Sequence, residues 1–376
     1  MTGNLKNQPI GLDIGHSSLK MVQLAVGEDH VKVLAARRAP LGVDPALDDR
    51  EREQMVIRAV RRLLAESPFR GRNVISALPI DKLRITSLRL SEAETPQADK
   101  ILRKEAAERF GLDPLRDPIN YIHAGSVRQG DVVKDEHILF ATDSETIGSH
   151  IRVLEEAGLT PVGIDAPPCA LFRTFERTMR RQEDRERTVI FIDVGHRFTT
   201  VVFGRSGEIC FVKQVPVGIG QFTGEVASAL GISFADAESL RMRLLRDEAV
   251  DASTRRPVID ALNLMAEQLA GEVSLCLRYY TVTFRGKRVE RAVVAGGGAY
   301  EQVLRDVLRR HLSVDVEIAE PLRGFECGPE ALEDRDGNGS ADLALAVGLS
   351  LKGWGVCVST RTCDDPLESV LEGEPL

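Results

Sequence analysis

Two short motifs with the same residue types open the two halves of this 376-residue sequence. Each is a β-like run that ends in Asp-x-Gly-His, with the aspartates at Asp13 and Asp193, and a second β-like run follows each turn. The glycine lets the backbone approach a ligand closely, and the amide groups of such a turn can hold a phosphate. The aspartate at the strand end can orient a hydrated Mg²⁺ ion. The pattern predicts two strand–turn–strand units that together contact a polyphosphate; two ordinary β-hairpins are the alternative.

The distance between the two motifs indicates how the chain is organised. Asp13 and Asp193 are 193 − 13 = 180 residues apart, which predicts a duplication at domain scale and not a short-period solenoid. A third cluster, glycines 296–298, lies between a short apolar run and a predicted helix over residues 300–311. Such a strand–glycine–helix unit brings backbone close to a flat ligand and a helix N-terminus close to anionic groups. A left-handed glycine turn without a ligand is the alternative.

Composition excludes several classes of protein. Apolar residues make up 43% of the chain and charged residues 28%, as in ordinary globular proteins. The net charge is 49 − 57 = −8 and aromatic residues make up only 5%, which argues against nucleic-acid binding. The six cysteines show no C-x-x-C spacing, which argues against a zinc ribbon and favours a reduced, cytoplasmic protein. No apolar stretch reaches the roughly 18 residues of a membrane-spanning helix, so we expect no direct membrane insertion.

Hydrophobic periodicity predicts the elements that position these motifs. Between the first two motifs we expect a helix over residues 50–66, an edge strand over 83–90 and a second helix over 96–110. Two strands over 120–127 and 137–142, joined by a polar loop, and a helix over 145–157 should follow. Thr95 is the expected N-cap of the second helix, because Pro96 follows it. Ser233 and Asp236 predict a capping box.

A later helix of about six turns is predicted from seven apolar residues spaced 4, 3, 4, 4, 3 and 4 apart, which form one core-facing stripe: Val258, Leu262, Met265, Leu269, Val273, Cys276 and Tyr280.

The order Asp-x-Gly, Asp-x-Gly, Gly-Gly-Gly-Ala resembles the nucleotide site of the actin-like ATPase superfamily. Over about residues 10–353 the sequence is similar to the PilM family of type IV pilus assembly. The segments that carry this similarity are residues 10–24, 76–79, 151–165, 215–218, 219–238, 293–299 and 346–351. The resemblance implies an α/β, actin-like (ribonuclease H-like, duplicated) two-lobed fold with an inserted α/β subdomain.

The resemblance also implies a division of the chain. The first actin-like lobe is expected over residues 1–82 with 159–186, and the inserted subdomain over 83–158. The second actin-like lobe is expected over 187–220 with 288–353, and the helical nucleotide-covering subdomain over 221–287. An acidic tail, 354–376, ends the sequence.

ATP and Mg²⁺ are the cofactors that the resemblance implies. In the first hairpin the residues expected to contact phosphate are Asp13, Gly15, His16, Ser17, Ser18 and Lys20. In the second hairpin they are Asp193, Gly195 and Thr199. The residues expected to approach adenosine are Gly296, Gly297 and Gly298, with Glu272 reaching the nucleotide. Asp13 and Asp193 are expected to hold Mg²⁺ through water, and no catalytic residue is assigned.

The implied function is that of an ATP-binding cytoplasmic scaffold, peripheral to the inner membrane. Such a scaffold docks the cytoplasmic N-terminal segment of an inner-membrane PilN-like protein, and nucleotide tunes the arrangement of its lobes. Other pilus assembly proteins and a second copy of the chain are further candidate partners. His16 and His196 depart from the family pattern beside the phosphates, and Pro167 departs from it at the start of the first connecting helix, where the family often has a Glu. We therefore expect weak or absent ATP hydrolysis.

Two alternative functions stay open at this point. One is an FtsA-like cell-division filament protein, but FtsA-like proteins carry a basic amphipathic tail, and the acidic tail here would be repelled by an anionic membrane. The other is a small-molecule kinase of the same superfamily, which needs a catalytic base that the sequence does not show.

Overall fold

The computed structural model describes residues 5–27, 30–42, 48–129, 132–176, 187–284, 288–332 and 339–353. The chain divides into two compact units. Unit 1 comprises Met1–Arg185, Gly207–Cys210 and Glu320–Leu376, and unit 2 comprises Glu186–Ser206 and Phe211–Ala319. The predicted acidic tail, 354–376, lies outside the described residues. Within the described ranges, no helix is long and apolar enough to cross a membrane.

A seven-stranded sheet forms the centre of unit 1. Its strands are β1 (Lys6–Asn7), β2 (Ile10–Ile14), β3 (Ser18–Val26), β4 (Val31–Pro40), β5 (Asn73–Ala77), β9 (Thr160–Asp165) and β15 (Glu326–Cys327), in the order β15-β4-β3-β2-β5-β9, with β1 paired to β3. β2, β5 and β9 run parallel to one another, so their carboxyl ends lie at one edge. Ligands of α/β folds bind outside this edge, and the first Asp-x-Gly turn (residues 13–18) lies there.

Helices pack against this sheet and fix the position of β2. α1 (Asp49–Glu66) and α3 (Ser144–Glu156) share a buried core with β2 that includes Leu12, Val60 and Leu154. Because side chains alternate along a strand, a side chain at Gly11 would point to the other face of the sheet. The helix α9 (Ala344–Lys352) lies on that face. A Cβ at Gly11 would come within 2.0 Å of the Ala346 carbonyl oxygen, so glycine lets α9 approach. The helices predicted over 50–66 and 145–157 are confirmed to within one residue.

A small three-stranded antiparallel sheet is inserted between β5 and α3. Its strands are β6 (Arg84–Ser91), β7 (Ile119–Gln129) and β8 (Val132–Ala141), in the order β6-β8-β7. The predicted edge strand is thereby confirmed as β6. α2 (Ala98–Phe110) covers the sheet, with Leu102 and Ala106 packed in one cluster with Leu139.

The bounds of the polar loop predicted over residues 128–136 are wrong, although the two strands that it was expected to join are confirmed. β7 and β8 continue as a paired ladder as far as Gln129 and Val132. The Ser126 hydroxyl donates to the Asp135 carboxylate across this ladder at 2.7 Å. The polar residues therefore satisfy one another between strands, and their polarity alone did not indicate a loop.

The predicted N-cap at Thr95 is also wrong. Thr95–Gln97 forms a 3-10 turn, and Gln97 is the residue that precedes α2. The Thr95 hydroxyl donates backwards to the Ser91 carbonyl at 3.2 Å. It caps no helix because its oxygen is directed at the preceding strand.

A five-stranded sheet forms the centre of unit 2. Its strands are β10 (Thr188–Val194), β11 (Thr199–Arg205), β12 (Glu208–Val215), β13 (Val289–Ala295) and β14 (Asp315–Ile318), in the order β12-β11-β10-β13-β14. β10, β13 and β14 are parallel, so the turns that follow β10 and β13 lie at the same edge. These turns carry the second Asp-x-Gly motif (residues 193–198) and the triple-glycine motif (residues 296–298).

The helices of unit 2 are α5 (Ile219–Leu230), α6 (Phe234–Leu245), α7 (Ala252–Phe284) and α8 (Gln302–Leu312). All seven residues of the predicted stripe on α7 are buried, so that prediction is confirmed, although the helix is longer than six turns. Ser233 caps α6 by accepting from the Asp236 N–H at 3.1 Å. The Asp236 carboxylate accepts from the Ser233 hydroxyl, in place of the backbone bond of a full capping box.

Candidate functional site

The first Asp-x-Gly turn places a carboxylate beside an ammonium group. Asp13 and Lys20 are directly opposite each other on β2 and β3. Lys20 Nζ lies 3.3 Å from Asp13 Oδ2, and the two side chains are 13% and 12% exposed. Directly opposite residues of neighbouring strands point to the same face, so the register of the hairpin brings this pair together.

The backbone of this turn is tightly packed. A Cβ at Gly15 would lie 2.7 Å from the Ser18 carbonyl oxygen and 3.1 Å from Lys20 Nζ. From α1, the Arg52 guanidinium donates to the Gly15 carbonyl at 2.8 Å, a contact that the sequence did not indicate. The other predicted phosphate contacts of the turn are half-buried: His16, Ser17 and Ser18.

The second Asp-x-Gly turn has the same register as the first. Asp193 lies directly opposite Thr200 on β11. In the first hairpin, Asp13 holds this position opposite Lys20. The offset of 180 residues (200 − 20) that relates the two aspartates therefore makes Thr200 the counterpart of Lys20. Thr200 was not among the residues predicted from the sequence, although this constant offset indicates it.

Thr199 and Thr200 have different surroundings. Thr199 is fully buried, and its hydroxyl donates to the Val217 carbonyl at 2.7 Å. This bond attaches the turn to the segment that leads into α5. Thr200 is 4% exposed and shares the face of Asp193. The role of Thr199 as a phosphate contact stays a prediction, and Thr200 joins it as a candidate.

α5 begins directly against the second turn. The Ile219 N–H donates to the Gly195 carbonyl at 2.9 Å, and the Gly220 N–H donates to the next carbonyl at 2.8 Å. A Cβ at Gly220 would lie 2.7 Å from His196 Nε2. The His196 ring also meets the Phe234 ring edge-on, with centroids 6.3 Å apart. The His196 imidazole is therefore packed against the starts of α5 and α6.

The triple-glycine turn lies against Asp193. β10 and β13 pair in parallel with Asp193 opposite Ala295, and the Gly298 N–H donates to the Val194 carbonyl at 3.0 Å. Gly296 has a φ of +82°, and a Cβ there would lie 2.6 Å from Asp193 Oδ1. A Cβ at Gly297 would meet nothing within 4 Å. Unit 2 thus brings together Asp193 and two of the three glycines that the sequence assigned to the nucleotide.

A buried ion pair fixes Glu301, which follows this turn. The sequence did not indicate this pair. Arg241 Nη1 contacts the carboxylate of Glu301, which precedes α8, and the two side chains are 6% and 4% exposed. Arg241 Nε donates to the Thr223 hydroxyl at 3.2 Å. Burial raises the pKa of Glu301, and the Arg241 guanidinium opposes this shift. The pair ties α5 and α6 to the start of α8.

Glu272 lies half-buried on α7. Burial raises the pKa of the neighbouring Cys276 thiol to about 11, and the Glu272 carboxylate, one turn earlier, acts in the same direction. The contact of Glu272 with the nucleotide stays a prediction.

Unit 1 contains a pocket of about 490 Å³ beside the first Asp-x-Gly turn. We call it the α1–α3 pocket, and its lining residues are Ile14, Asp49, Arg52, Glu53, Val56, Leu78, Pro79, Lys82, Asp143, Glu145, Thr146, Ser149, His150 and Val153. They come from the end of β2, from α1, from the segment after β5 and from the start of α3. No local sequence pattern joins these segments, so the pocket was not predictable from the sequence.

The lining of the pocket carries more acidic than basic groups. Four carboxylates (Asp49, Glu53, Asp143 and Glu145) stand against two cations (Arg52 and Lys82). Glu53 accepts from the Ser149 hydroxyl at 2.9 Å. Asp143 caps α3 by accepting from the Thr146 N–H at 2.7 Å, and this bond holds the pKa of Asp143 low. The pocket therefore favours a basic occupant.

His150 forms part of the inner wall of this pocket. Its side chain is buried, and Nε2 lies 3.0 Å from the Ser76 hydroxyl. Burial lowers the pKa of His150 to about 4. The imidazole is therefore neutral at pH 7 and adds no positive charge to the pocket.

Comparisons with known proteins agree with this architecture. A family model described as type IV pilus assembly protein PilM matches residues 11–354. A solved PilM–PilN type IV pilus biogenesis complex superposes with a TM-score of 0.75, at 22% identity over 92% of this chain and 98% of that chain. Ethanolamine utilization protein EutJ from Carboxydothermus hydrogenoformans superposes with a TM-score of 0.53, at 15% identity over 92% and 89% of the two chains. The predicted actin-like α/β fold is confirmed, and the chain belongs to the PilM family of type IV pilus assembly proteins.

Proposed function

We propose that this chain binds ATP with Mg²⁺ and acts as the actin-like scaffold of a type IV pilus assembly machine. The observation that carries the proposal is the common register of the two Asp-x-Gly hairpins, in which Asp13 and Asp193 hold the same position. The approach of the triple-glycine turn to Asp193 supports it further. The proposed contacts are the residues assigned in the sequence analysis, with Thr200 added.

The residues of the two turns fit this cofactor. A side chain at Gly296 would fill the space 2.6 Å from Asp193 Oδ1, so glycine keeps that carboxylate accessible. Among the described residues, no group of three or more His, Cys, Asp or Glu side chains is placed to hold a metal ion. Single carboxylates suit Mg²⁺, which keeps several water ligands. When bound, the ion would neutralise phosphate charge, and Asp13 and Asp193 are the carboxylates that would hold it through water.

We also propose that hydrolysis is weak or absent. α4 (Pro167–Glu176) begins with two prolines and has no acidic residue in its first turn. The preceding carboxylate, Asp165, pairs with Arg173 at 2.8 Å and with Lys352 at 3.7 Å. Burial favours the neutral form of Asp165, but these two cations outweigh it and hold its pKa below the ordinary range. A carboxylate committed to two cations is a poor base for activating water.

Calorimetric titration with ATP, with and without Mg²⁺, tests nucleotide binding. Asp13→Asn and Asp193→Asn should each abolish the strengthening by Mg²⁺, an effect of about tenfold or more, because an amide holds hydrated Mg²⁺ less well. Asp260→Asn is the matched control, since Asp260 is an exposed carboxylate on α7. Failure of the wild-type chain to bind millimolar ATP would overturn the proposal.

We further propose that the α1–α3 pocket docks the cytoplasmic N-terminal segment of a PilN-like inner-membrane protein, and that nucleotide tunes this affinity. The similar solved structure is a PilM–PilN complex. The surplus of carboxylates around an apolar floor of Ile14, Val56 and Val153 suits a short segment with basic and apolar residues. The chain would then work in the cytoplasm, held at the inner membrane by this partner.

Fluorescence anisotropy with a labelled peptide of that segment tests the docking site. The double variant Glu53→Gln/Glu145→Gln should raise the Kd about fivefold, since it removes two rim charges worth about 1 kcal/mol together. Glu105→Gln, an exposed position on α2, should leave the Kd unchanged. Equal affinity of both variants for the peptide would remove the pocket as the docking site.

A further inference from the structure

Arg52 belongs to two sites at once. It lines the α1–α3 pocket, and it donates to the Gly15 carbonyl of the first Asp-x-Gly turn at 2.8 Å. Two other residues of α1, Asp49 and Glu53, line the same pocket. The pocket lining has two cations. Lys82 Nζ lies 4.0 Å from Asp49 Oδ2, whereas Arg52 contacts the first Asp-x-Gly turn.

The bond from Arg52 sets the direction of a peptide plane. The chain has no cis peptide bonds among the described residues, and in a trans peptide the C=O and the following N–H point in opposite directions. With the Gly15 carbonyl directed at α1, the His16 N–H is directed away from α1. Turn amides oriented in this way are the groups that hold phosphate oxygens.

Gly15 leaves this turn little room to move independently of the ion pair. A Cβ added at Gly15 would lie 2.7 Å from the Ser18 carbonyl oxygen and 3.1 Å from Lys20 Nζ, and Lys20 is itself paired with Asp13. A displacement of the Gly15 peptide would therefore also displace the Lys20 ammonium and, through it, its partner Asp13. Arg52 is the side chain through which the pocket reaches that peptide.

We propose that Arg52 couples the two sites, so that a basic segment in the α1–α3 pocket strengthens ATP binding at the first Asp-x-Gly turn. This inference rests on the proposed docking of a PilN-like segment. It adds the residue that transmits the effect and the direction of the effect.

Competition for the Arg52 guanidinium gives the coupling its direction. A carboxylate is a stronger hydrogen-bond acceptor for a guanidinium than a neutral carbonyl. Asp49, three residues earlier on the same helix, offers such a carboxylate at the rim of the pocket. A basic segment in the pocket neutralises this carboxylate and repels Arg52, which then stays on the Gly15 carbonyl. The His16 N–H is thereby held in the direction that favours phosphate.

Coupling between two bound ligands is reciprocal. If the segment tightens ATP binding by a given factor, ATP tightens segment binding by the same factor. Couplings between sites are commonly about fivefold or more, and one redirected hydrogen bond accounts for a value at the low end of that range. We therefore expect a factor of about fivefold in each direction.

The test measures the ATP dissociation constant of the full chain by calorimetry, with and without a saturating synthetic peptide of the cognate PilN-like segment. The wild-type ratio should be about fivefold. Arg52→Met, which keeps the aliphatic stem but no donor, should bind both ligands with a ratio near one. Arg52→Lys, which keeps charge and a donor, should retain part of the coupling. Arg58→Met, at an exposed position on the same helix, should keep the wild-type ratio.

The outcomes separate this inference from the proposed function. Wild-type protein that binds both ligands with a ratio of one would overturn the coupling alone. An Arg52→Met variant that keeps the wild-type ratio would overturn the role of Arg52. Failure of the wild type to bind either ATP or the peptide would overturn the proposed function and the coupling together. A melting curve for each variant, with a midpoint close to wild type, assigns a changed ratio to coupling and not to unfolding of α1.

Discussion

Adjacent glycines in the triple-glycine turn have opposite surroundings, which makes them a matched pair. Gly296 has a φ of +82°, and a Cβ there would lie 2.5 Å from the Val194 carbonyl oxygen. Gly297→Ala meets nothing within 4 Å. We expect Gly296→Ala to destabilise the protein by about 1–3 kcal/mol and to weaken ATP binding by displacing Asp193. Gly297→Ala should leave the melting temperature nearly unchanged. Thermal unfolding and calorimetry of both variants check this, and equal destabilisation by the two would contradict it.

The two neighbouring threonines of the second turn provide another residue-scale test. Thr199→Val removes the hydroxyl that donates to the buried Val217 carbonyl, so we expect a loss of about 1–3 kcal/mol in stability. Thr200→Val removes the polar group opposite Asp193 and should mainly weaken ATP binding. Urea unfolding and ATP titration of both variants separate the effects. Equal loss of ATP affinity in the two variants would show that the shared register does not determine the contact.

At this scale, local motifs were readable from the sequence and distant contacts were not. Asp13 and Asp193 were found because residue type and spacing repeat at a constant offset. The Arg52–Gly15 contact and the Arg241–Glu301 pair were missed, since each joins residues from elements far apart in the chain. Such contacts depend on helix packing, which no local pattern encodes.

At the scale of elements, α3 should make stability depend on pH through His150. An unfolded histidine has a pKa of 6.5, and burial lowers that of His150 to about 4. The unfolded state therefore binds a proton first, so the contribution is fully present above pH 6.5 and is lost as pH falls towards about 4. The loss at the acid end is about 3 kcal/mol.

Urea unfolding at a series of pH values, compared between wild type and variants, measures this contribution. His150→Gln keeps a partner for the Ser76 hydroxyl but does not titrate, so its stability should fall less between pH 7 and pH 4. His30→Gln, at an exposed position, should follow the wild-type curve. Parallel curves for wild type and His150→Gln would rule out His150 as the source.

Elements were predicted well where one face is apolar and poorly where polar residues pair across strands. The stripe on α7 was found because every member is buried on one side of a single helix. The ends of β7 and β8 were missed because Ser126 and Asp135 satisfy each other between strands, a partnership that depends on register. Thr95 failed as a cap for a related reason, since its hydroxyl bonds to the strand before it.

At the scale of the whole chain, motif order was the strongest signal. Two Asp-x-Gly hairpins and a strand–glycine–helix unit occur in one order over 285 residues (298 − 13). This order carried the resemblance to the actin-like superfamily and so the fold, and the similar segments carried the resemblance to the family. The α1–α3 pocket was not predictable in this way. Its lining combines segments separated by the entire inserted sheet, so it exists only once unit 1 has folded.

The net charge of the whole chain leads to a last prediction, on membrane recruitment. With a formal charge of −8, the protein should be repelled by anionic bilayers. In vesicle flotation it should stay with the soluble fraction when the vesicles contain only phosphatidylglycerol and phosphatidylethanolamine. It should float when the same vesicles carry a lipid-linked peptide of the PilN-like segment, and Glu53→Gln/Glu145→Gln should reduce that fraction while Glu105→Gln should not. Flotation with bare anionic vesicles would instead show a direct membrane contact and remove the need for a partner.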